Sequence, residues 1–441
     1  MNRIPSTFPA VVFDRLLDSF GAIGEMMIQL ELHLGSRVDT ERFARALDLA
    51  LDAEPVLGCR YVAGYWRSRW ERLAPAERAG LRVVHDEASF EAFKLEPIRS
   101  ERGPQLRVCL WQREGGDRVL FKIGHRVGDT GALKEAAGVV ADLYAKLGAD
   151  PGYVPAPNLA GERGVGQVAR RVPLTAWPRI YLNSLREARS NGVPLRTRAL
   201  VLSGAHEPYA YVCRHLERDR VARVVELARA RSGTINDALI AAFLRAIAAL
   251  TPPDPKARFR LMTTVDLRRW YLPGGRGGAI CNLSAFEFPN VGVDVGADFV
   301  ETLGRVSAFS RARKASWLGL NGVAGMLPGL IVLPPAWLNR VMRAISRFTL
   351  GTGNAPNTLT NLGPIDPESV RFDTVPARAF LLAPPMYAPI LGVGLSGYRG
   401  ELTLSAAVSV ESVATVERFF EEVVRELDGG VAEAADGAAE R

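Results

Sequence analysis

Cysteine is scarce in this chain and scattered. Its four copies, Cys59, Cys109, Cys213 and Cys281, form no C-x-x-C pair, which excludes a disulfide framework or a zinc ribbon and fits a reducing cytoplasm. Histidine is nearly as rare, with five copies. His206 and His215 have no third ligand clustered with them, so no metal site is expected, and His33 and His85 carry no signal. No G-x-S-x-G nucleophile elbow occurs, and His125 has no evident serine or cysteine partner. One G-x-G-x-x-G stretch, Gly392 to Gly397, lies between two strand patterns rather than before a helix, so no helix N-terminus is there to hold a pyrophosphate. Nothing resembles a nucleic-acid-binding module. A secretory leader is not expected, because Asp14 and Arg15 interrupt the apolar start. The one long uncharged run, Trp317 to Leu338, spans 22 residues, but Pro328, Pro334, Pro335 and four glycines break it. It reads as buried core with a bend rather than as a membrane span.

Against those absences, 441 residues with 48% hydrophobic and 23% charged content describe a globular chain long enough for two or three domains. The net charge of +7, carried mostly by arginine, favours anionic partners.

The chain is organised around Arg118 to Leu147. Val119, Leu120, Phe121 and Ile123 form a buried-strand run that stops at Gly124-His125. From Gly131 on, Leu133, Ala136, Ala137, Val140, Leu143, Tyr144 and Leu147 follow helical spacing, and Asp129 or Thr130 can cap the helix. A single histidine therefore sits where a rigid strand gives way to a tight turn, a place suited to presenting a reactive side chain. Upstream, Met27 to Leu34 alternates as a half-buried strand, and Asp39-Thr40 starts a helix with Phe43, Leu47 and Leu51 on one face. Asp150 to Gln167, rich in Pro and Gly, reads as a linker between two halves. Downstream come strands at Tyr209–Leu216, Arg258–Val265, Ala379–Leu382, Ile390–Leu395 and Leu402–Val410, with an almost uncharged, buried helix after Thr234. The expected division is 1–165, 166–427 and a disordered Gly/Ala/Glu-rich tail at 428–441.

His125-Arg126-Val127-Gly128-Asp129, followed by Thr130-Gly131, resembles the H-x-x-x-D-G signature of the chloramphenicol-acetyltransferase-like superfamily, which includes condensation domains and alcohol and wax-ester acyltransferases. Further pieces resemble that superfamily in order: Asn236-Asp237 opening a core helix, Val265-Asp266-Leu267-Arg268, Cys281-Asn282-Leu283, Thr360-Asn361-Leu362-Gly363, and Ser396-Gly397-Tyr398-Arg399-Gly400. Together they cover roughly residues 10–425. The sequence departs from the full signature in having Gly124 for the first histidine and Thr130 for the glycine after the aspartate.

The resemblance implies an α/β fold of two lobes, each a mixed sheet flanked by helices, with a tunnel between them. It implies acyl transfer from a coenzyme A or phosphopantetheine-carried thioester to a hydroxyl or amine, with His125 as general base. Asp129 is then expected to pair with Arg268 and hold the turn. Asn282, Asn361, Ser396 and Tyr398 are oxyanion-stabilising or tunnel-lining candidates. No metal or bound redox group is implied. The expected partners are a small-molecule acceptor and an acyl or peptidyl carrier protein. The rival reading is a degenerate condensation-like module that docks a partner protein, for which a filled tunnel is expected. Two basic groups, Arg311-Arg313-Lys314 and Arg340-Arg343-Arg347, are either solvated helix faces or contacts for a carrier protein, for phosphate or for a membrane surface.

Overall fold

The computed structural model describes residues 3–191, 196–205, 207–351 and 355–439; His206 lies outside them. In the first part of the chain come α1 (Val12–Ser19), β1 (Met27–His33), α2 (Thr40–Ala53), β2 (Leu81–Val84), β3 (Leu106–Trp111), β4 (Arg118–Gly124) and α3 (Thr130–Ala149). Asp39 caps α2 by accepting from Arg42 N at 3.0 Å, and Asp129 caps α3 by accepting from Ala132 N at 3.0 Å. Both helices bury their apolar faces, Phe43, Leu47 and Leu51 on α2 and Leu133, Val140 and Tyr144 on α3, against the sheet. β1 pairs antiparallel with β4, β4 antiparallel with β3, and β3 parallel with β2.

β1 is not half-buried as its alternation suggests. Its polar side is buried too: Gln29 Nε2 donates to Lys94 O at 3.0 Å and to the Tyr211 hydroxyl at 2.6 Å, and Lys94 Nζ meets Glu31 Oε2 at 3.0 Å. Tyr211 comes from the second sheet, so the polar face of this strand is the seam between lobes.

The second part supplies α4 (Trp177–Asn191), β5 (Tyr209–Leu216), α5 (Ile235–Leu250), β6 (Met262–Asp266), β7 (Ser284–Glu287), α6 (Phe299–Lys314), α7 (Leu320–Val332), α8 (Pro335–Gly351), β8 (Thr358–Pro364), β9 (Arg378–Leu382), β10 (Gly392–Tyr398), β11 (Glu401–Ser409) and α9 (Val413–Ala439). Its sheet has the order β7-β6-β8-β10-β11-β5, with β6, β8 and β10 parallel. α5 is the buried helix of this lobe, started by Thr234 and Asp237 capping each other.

Three expectations need correction. β9 pairs antiparallel with β1 and completes the first sheet, so a cut at residue 165 does not assign the chain cleanly to two lobes. The segment from 150 to 167 is bonded down rather than a free linker, since Arg163 reaches the Asp14 carboxylate at 3.0 and 3.1 Å and Val127 O at 3.2 Å. The tail is helical through Ala439. Leu427 is buried in the core of the second lobe and Val431 packs against that core, which holds the start of this segment in the helix despite its glycines.

Among the described residues no single helix is long and apolar enough to cross a membrane. The uncharged run from Trp317 to Leu338 bends at Leu333-Pro334, between α7 and α8. Leu320, Val323, Ala324 and Leu330 are buried, but Ile331, Val332 and Trp337 face solvent, so only part of the run is core.

Candidate active site

His125 follows β4 directly. Its backbone N–H donates to Met26 O at 2.8 Å, which ties the turn to β1. Its ring Nδ1 lies 3.1 Å from Gly128 O. A carbonyl can only accept, so Nδ1 carries the proton and Nε2 carries the lone pair. Burial holds the imidazole below its ordinary pKa, against the opposing pull of the Asp129 carboxylate. The ring is thus neutral at neutral pH, the form that can take a proton.

Asp129 is turned away from that chemistry. Its Oδ2 accepts from Arg268 Nη1 at 2.9 Å, Leu283 N at 2.6 Å and the Ser284 hydroxyl at 3.1 Å, while Oδ1 caps α3. Burial alone would raise its carboxyl, but Arg268 and the hydrogen bonds outweigh it and hold the group below the usual aspartate range. Arg268, also fully buried, gives Nη2 to Cys281 O at 2.5 Å. Nearby Glu135 is pushed up to about 7 by burial, despite Arg268. One buried ion pair and its hydrogen bonds therefore join the His125 turn to the end of β6 and the start of β7.

A Cβ at Gly124 would lie 2.8 Å from Gln105 Oε1 and one at Gly131 2.9 Å from Arg268 Nη1, so a side chain at either position requires that neighbour to shift. Thr130 and Gly131 both line a cavity.

That cavity is about 470 Å³ and lies between the sheets. Its walls come from α1, β1, the His125 turn, β6, β7, β8, β10, α7 and α8, and most of its lining is apolar. His125 and Asn282 line it together. Asn282 Nδ2 donates to His125 O at 3.0 Å and Arg126 O at 3.1 Å, bracing the turn. Asn361 also lines the cavity. It spends one N–H on Asn236 Oδ1 at 3.1 Å and its Oδ1 on Gly363 N at 2.9 Å, leaving one N–H.

Ser396 and Tyr398 do not line the cavity. The Ser396 hydroxyl accepts from Leu381 N at 3.0 Å and the Tyr398 hydroxyl donates to Pro376 O at 2.6 Å, so both are buried joints between β10 and the segment that includes β9. Of the two basic groups, the one on α6 is not free. Arg313 forks onto Glu287 at 2.7 and 2.8 Å and also meets Glu187, and Arg311 donates to Ser232 O at 2.9 Å. The sulfurs of Cys59, Cys109 and Cys281 are buried, and each thiol is pushed up to about 12 by that burial.

Residues 209–311 match the family model described as the phthiocerol/phthiodiolone dimycocerosyl transferase C-terminus. Across the whole chain the likeness is structural. Polyketide synthase associated protein 5 from Mycobacterium tuberculosis superposes with a TM-score of 0.64 at 14% identity, covering 97% of this chain and 100% of that one. The first condensation domain of the calcium-dependent antibiotic synthetase gives 0.67 at 16% identity, covering 96% of each chain. The fold is that of the chloramphenicol-acetyltransferase-like superfamily. Trichothecene 15-O-acetyltransferase TRI3 from Fusarium sporotrichioides adds a third example, with a TM-score of 0.65 at 12% identity over 96% of this chain and 95% of that one. No curated protein matches the chain by sequence.

Within this chloramphenicol-acetyltransferase-like architecture, sequence reasoning missed several cavity residues. Thr264 on β6 and Thr358 and Thr360 on β8 line the cavity, with Val265 and Leu359 between the lining positions pointing elsewhere and the alternation ending at Asn361. That period-two signal was present in both strands. The contribution of Phe13, Leu16, Leu17 and Phe20 had no comparable signal, because an apolar helix near the start of a chain reads the same whether it lines a cavity or fills a core.

Proposed function

We propose that the chain is an acyltransferase that moves an acyl group from a coenzyme A or carrier-protein thioester to a hydroxyl or amine. The observation that carries this reading is the position of His125 on the wall of an interlobe cavity, with its Nδ1 held at 3.1 Å by Gly128 O. In the proposed step the acceptor O–H or N–H gives its proton to His125 Nε2 as its oxygen or nitrogen attacks the thioester carbonyl. The tetrahedral intermediate then collapses, the C–S bond breaks, and the leaving sulfur takes the proton back from the imidazolium. Proton transfer of this kind contributes about 10²–10⁴-fold. Asn361 retains an N–H in the cavity and is the best suited of the four sequence candidates to meet the developing oxyanion, a donor worth about 10²–10³-fold. Asn282 has both N–H groups committed to the turn, so its role is to position His125.

The docking-module alternative calls for a filled space between the lobes, and a cavity of about 470 Å³ favours catalysis instead. The test is a panel of acyl-coenzyme A and carrier-bound acyl thioesters, each with alcohol and amine acceptors, followed by free-thiol release and product mass spectrometry. Acceptor-dependent thiol release matched by ester or amide product is expected. Thiol release that ignores the acceptor, or no product from any pair, would reject the reading.

A further inference from the structure

Helix α8 and the end of α7 carry a surface that the catalytic reading does not use. On α8, Trp337, Val341, Ile345 and Phe348 recur at four- and three-residue steps and form one exposed stripe, with Trp337 50%, Ile345 52% and Phe348 58% accessible. Ile331 and Val332, at the end of α7 just before the bend into α8, are also exposed, Val332 being 75% accessible. Arg340, Arg343 and Arg347 occupy the adjoining sector of the helix. They form no ion pair among the described residues, and neither α7 nor α8 contains an acidic residue. The Arg340 guanidinium lies 5.9 Å from the Trp337 ring, so the two sectors touch. A third sector, with Leu338 buried, packs on the protein near α1.

We infer that α8 is a docking surface for an anionic lipid bilayer. An interfacial helix presents an aromatic and aliphatic strip to the acyl boundary and arginines to the headgroups beside it, and α8 has both in adjacent sectors. Charge complementarity selects an anionic surface. A second copy of the chain would set arginine against arginine with no carboxylate on α7 or α8 to meet them. An acidic protein helix would satisfy the arginines, and its capture is one of the outcomes tested below. The face is also continuous with the cavity, since Ile345 belongs to both the stripe and the cavity wall, where Ser346 and Leu350 join it. A bilayer covering α8 therefore lies at the edge of the space that holds His125. This inference does not depend on acyl transfer and is tested without it.

The full chain is floated with vesicles of phosphatidylcholine alone and of phosphatidylcholine mixed with phosphatidylglycerol. Binding to the mixed vesicles only, falling as salt rises, is expected. Arg340→Gln, Arg343→Gln and Arg347→Gln together should weaken it on the order of 100-fold, at about fivefold for each arginine near the surface. Quenching of tryptophan fluorescence by brominated phosphatidylcholine in the mixed vesicles, reduced in Trp337→Phe, gives a second readout that does not require the triple variant to fold. The proposal fails if the chain does not float with mixed vesicles, or if the folded triple variant floats as well as wild type. It also fails if the arginines instead govern self-association or capture by an acidic carrier protein while vesicles stay unbound.

Discussion

Arg268 and Arg343 show what the same side chain does in two regions of one molecule. Arg268 is 1% exposed and lies between Asp129, Glu135 and Cys281 O, and Asp129 is in turn filled by Leu283 N, Ser284 and Ala132 N. Arg343 stands on an exposed helix face and forms no ion pair among the described residues. A buried charge must be answered inside the chain, because leaving it unanswered costs several kcal/mol. The groups that answer it then fix the backbone around them, which is how the His125 turn acquires a single geometry. An exposed charge demands no answer from the chain. Its meaning lies with whatever it meets outside.

The comparison is broken most forcefully at the residue the first region holds in place. His125→Ala should lower turnover by about 10²–10⁴-fold in a chain that still folds, because the imidazole is not part of the ion-pair network. Steady-state kinetics with the productive thioester checks this, and near-wild-type turnover would remove His125 from the mechanism. The pH profile of kcat/KM sharpens it. Burial lowers the His125 pKa, so the active, neutral form persists below the ordinary histidine value of about 6.5 and activity falls only as pH drops further. Glu135 titrates at about 7 beside Arg268, so the acid limb should also be measured in Glu135→Gln, where it should survive.

Next in size is the buried pair. Asp129→Asn keeps the shape of the turn but removes the nearest carboxylate of Arg268, leaving Asp266 at 3.4 Å and Glu135 at 3.5 Å, so unfolding by denaturant should show a loss of at most about 3–5 kcal/mol. The sign of the pH dependence follows from the depressed Asp129 pKa. The pair's contribution is present above the ordinary aspartate range and is lost as pH falls through the lower, folded value. Asp129→Asn should therefore flatten part of the acid limb of the stability curve. An Asn variant as stable as wild type but inactive would make Asp129 a catalytic group instead of a structural one.

The contrast between the two regions also marks what the sequence could tell. β4, the turn and α3 were legible because a strand period, a capping aspartate and a helix period follow one another within thirty residues. Residue types at motif positions suggested Asp129 with Arg268, although 139 residues separate them. Burial of Gln29 and Glu31 was not legible, because alternation reports which side of a strand is polar and says nothing of a second lobe arriving on that side. Ser396 and Tyr398 misled for a related reason. Their hydroxyls are spent on backbone groups 15 and 22 residues away, and nothing in a motif shows which polar atoms are already taken. Arg313 likewise reads as part of a basic cluster until Glu287 and Glu187 fold onto it.

The smallest expected effect closes the comparison from the other side. If the arginines of α8 have no partner within the chain, replacing Arg340, Arg343 and Arg347 by glutamine should change stability by little more than the ±0.5 kcal/mol usual for a surface site. Glutamine keeps a good helix propensity and much of the aliphatic stem, so the helix itself gives no reason for a larger change. Removing three like charges from one helix face relieves some mutual repulsion, which biases the expected sign toward slight stabilisation at low salt and toward zero at high salt. Unfolding curves for the triple variant, measured at both salt concentrations, check this directly. A loss of several kcal/mol would mean that these arginines hold the fold as Arg268 does, and the outward-facing role assigned to α8 would have to be withdrawn with it.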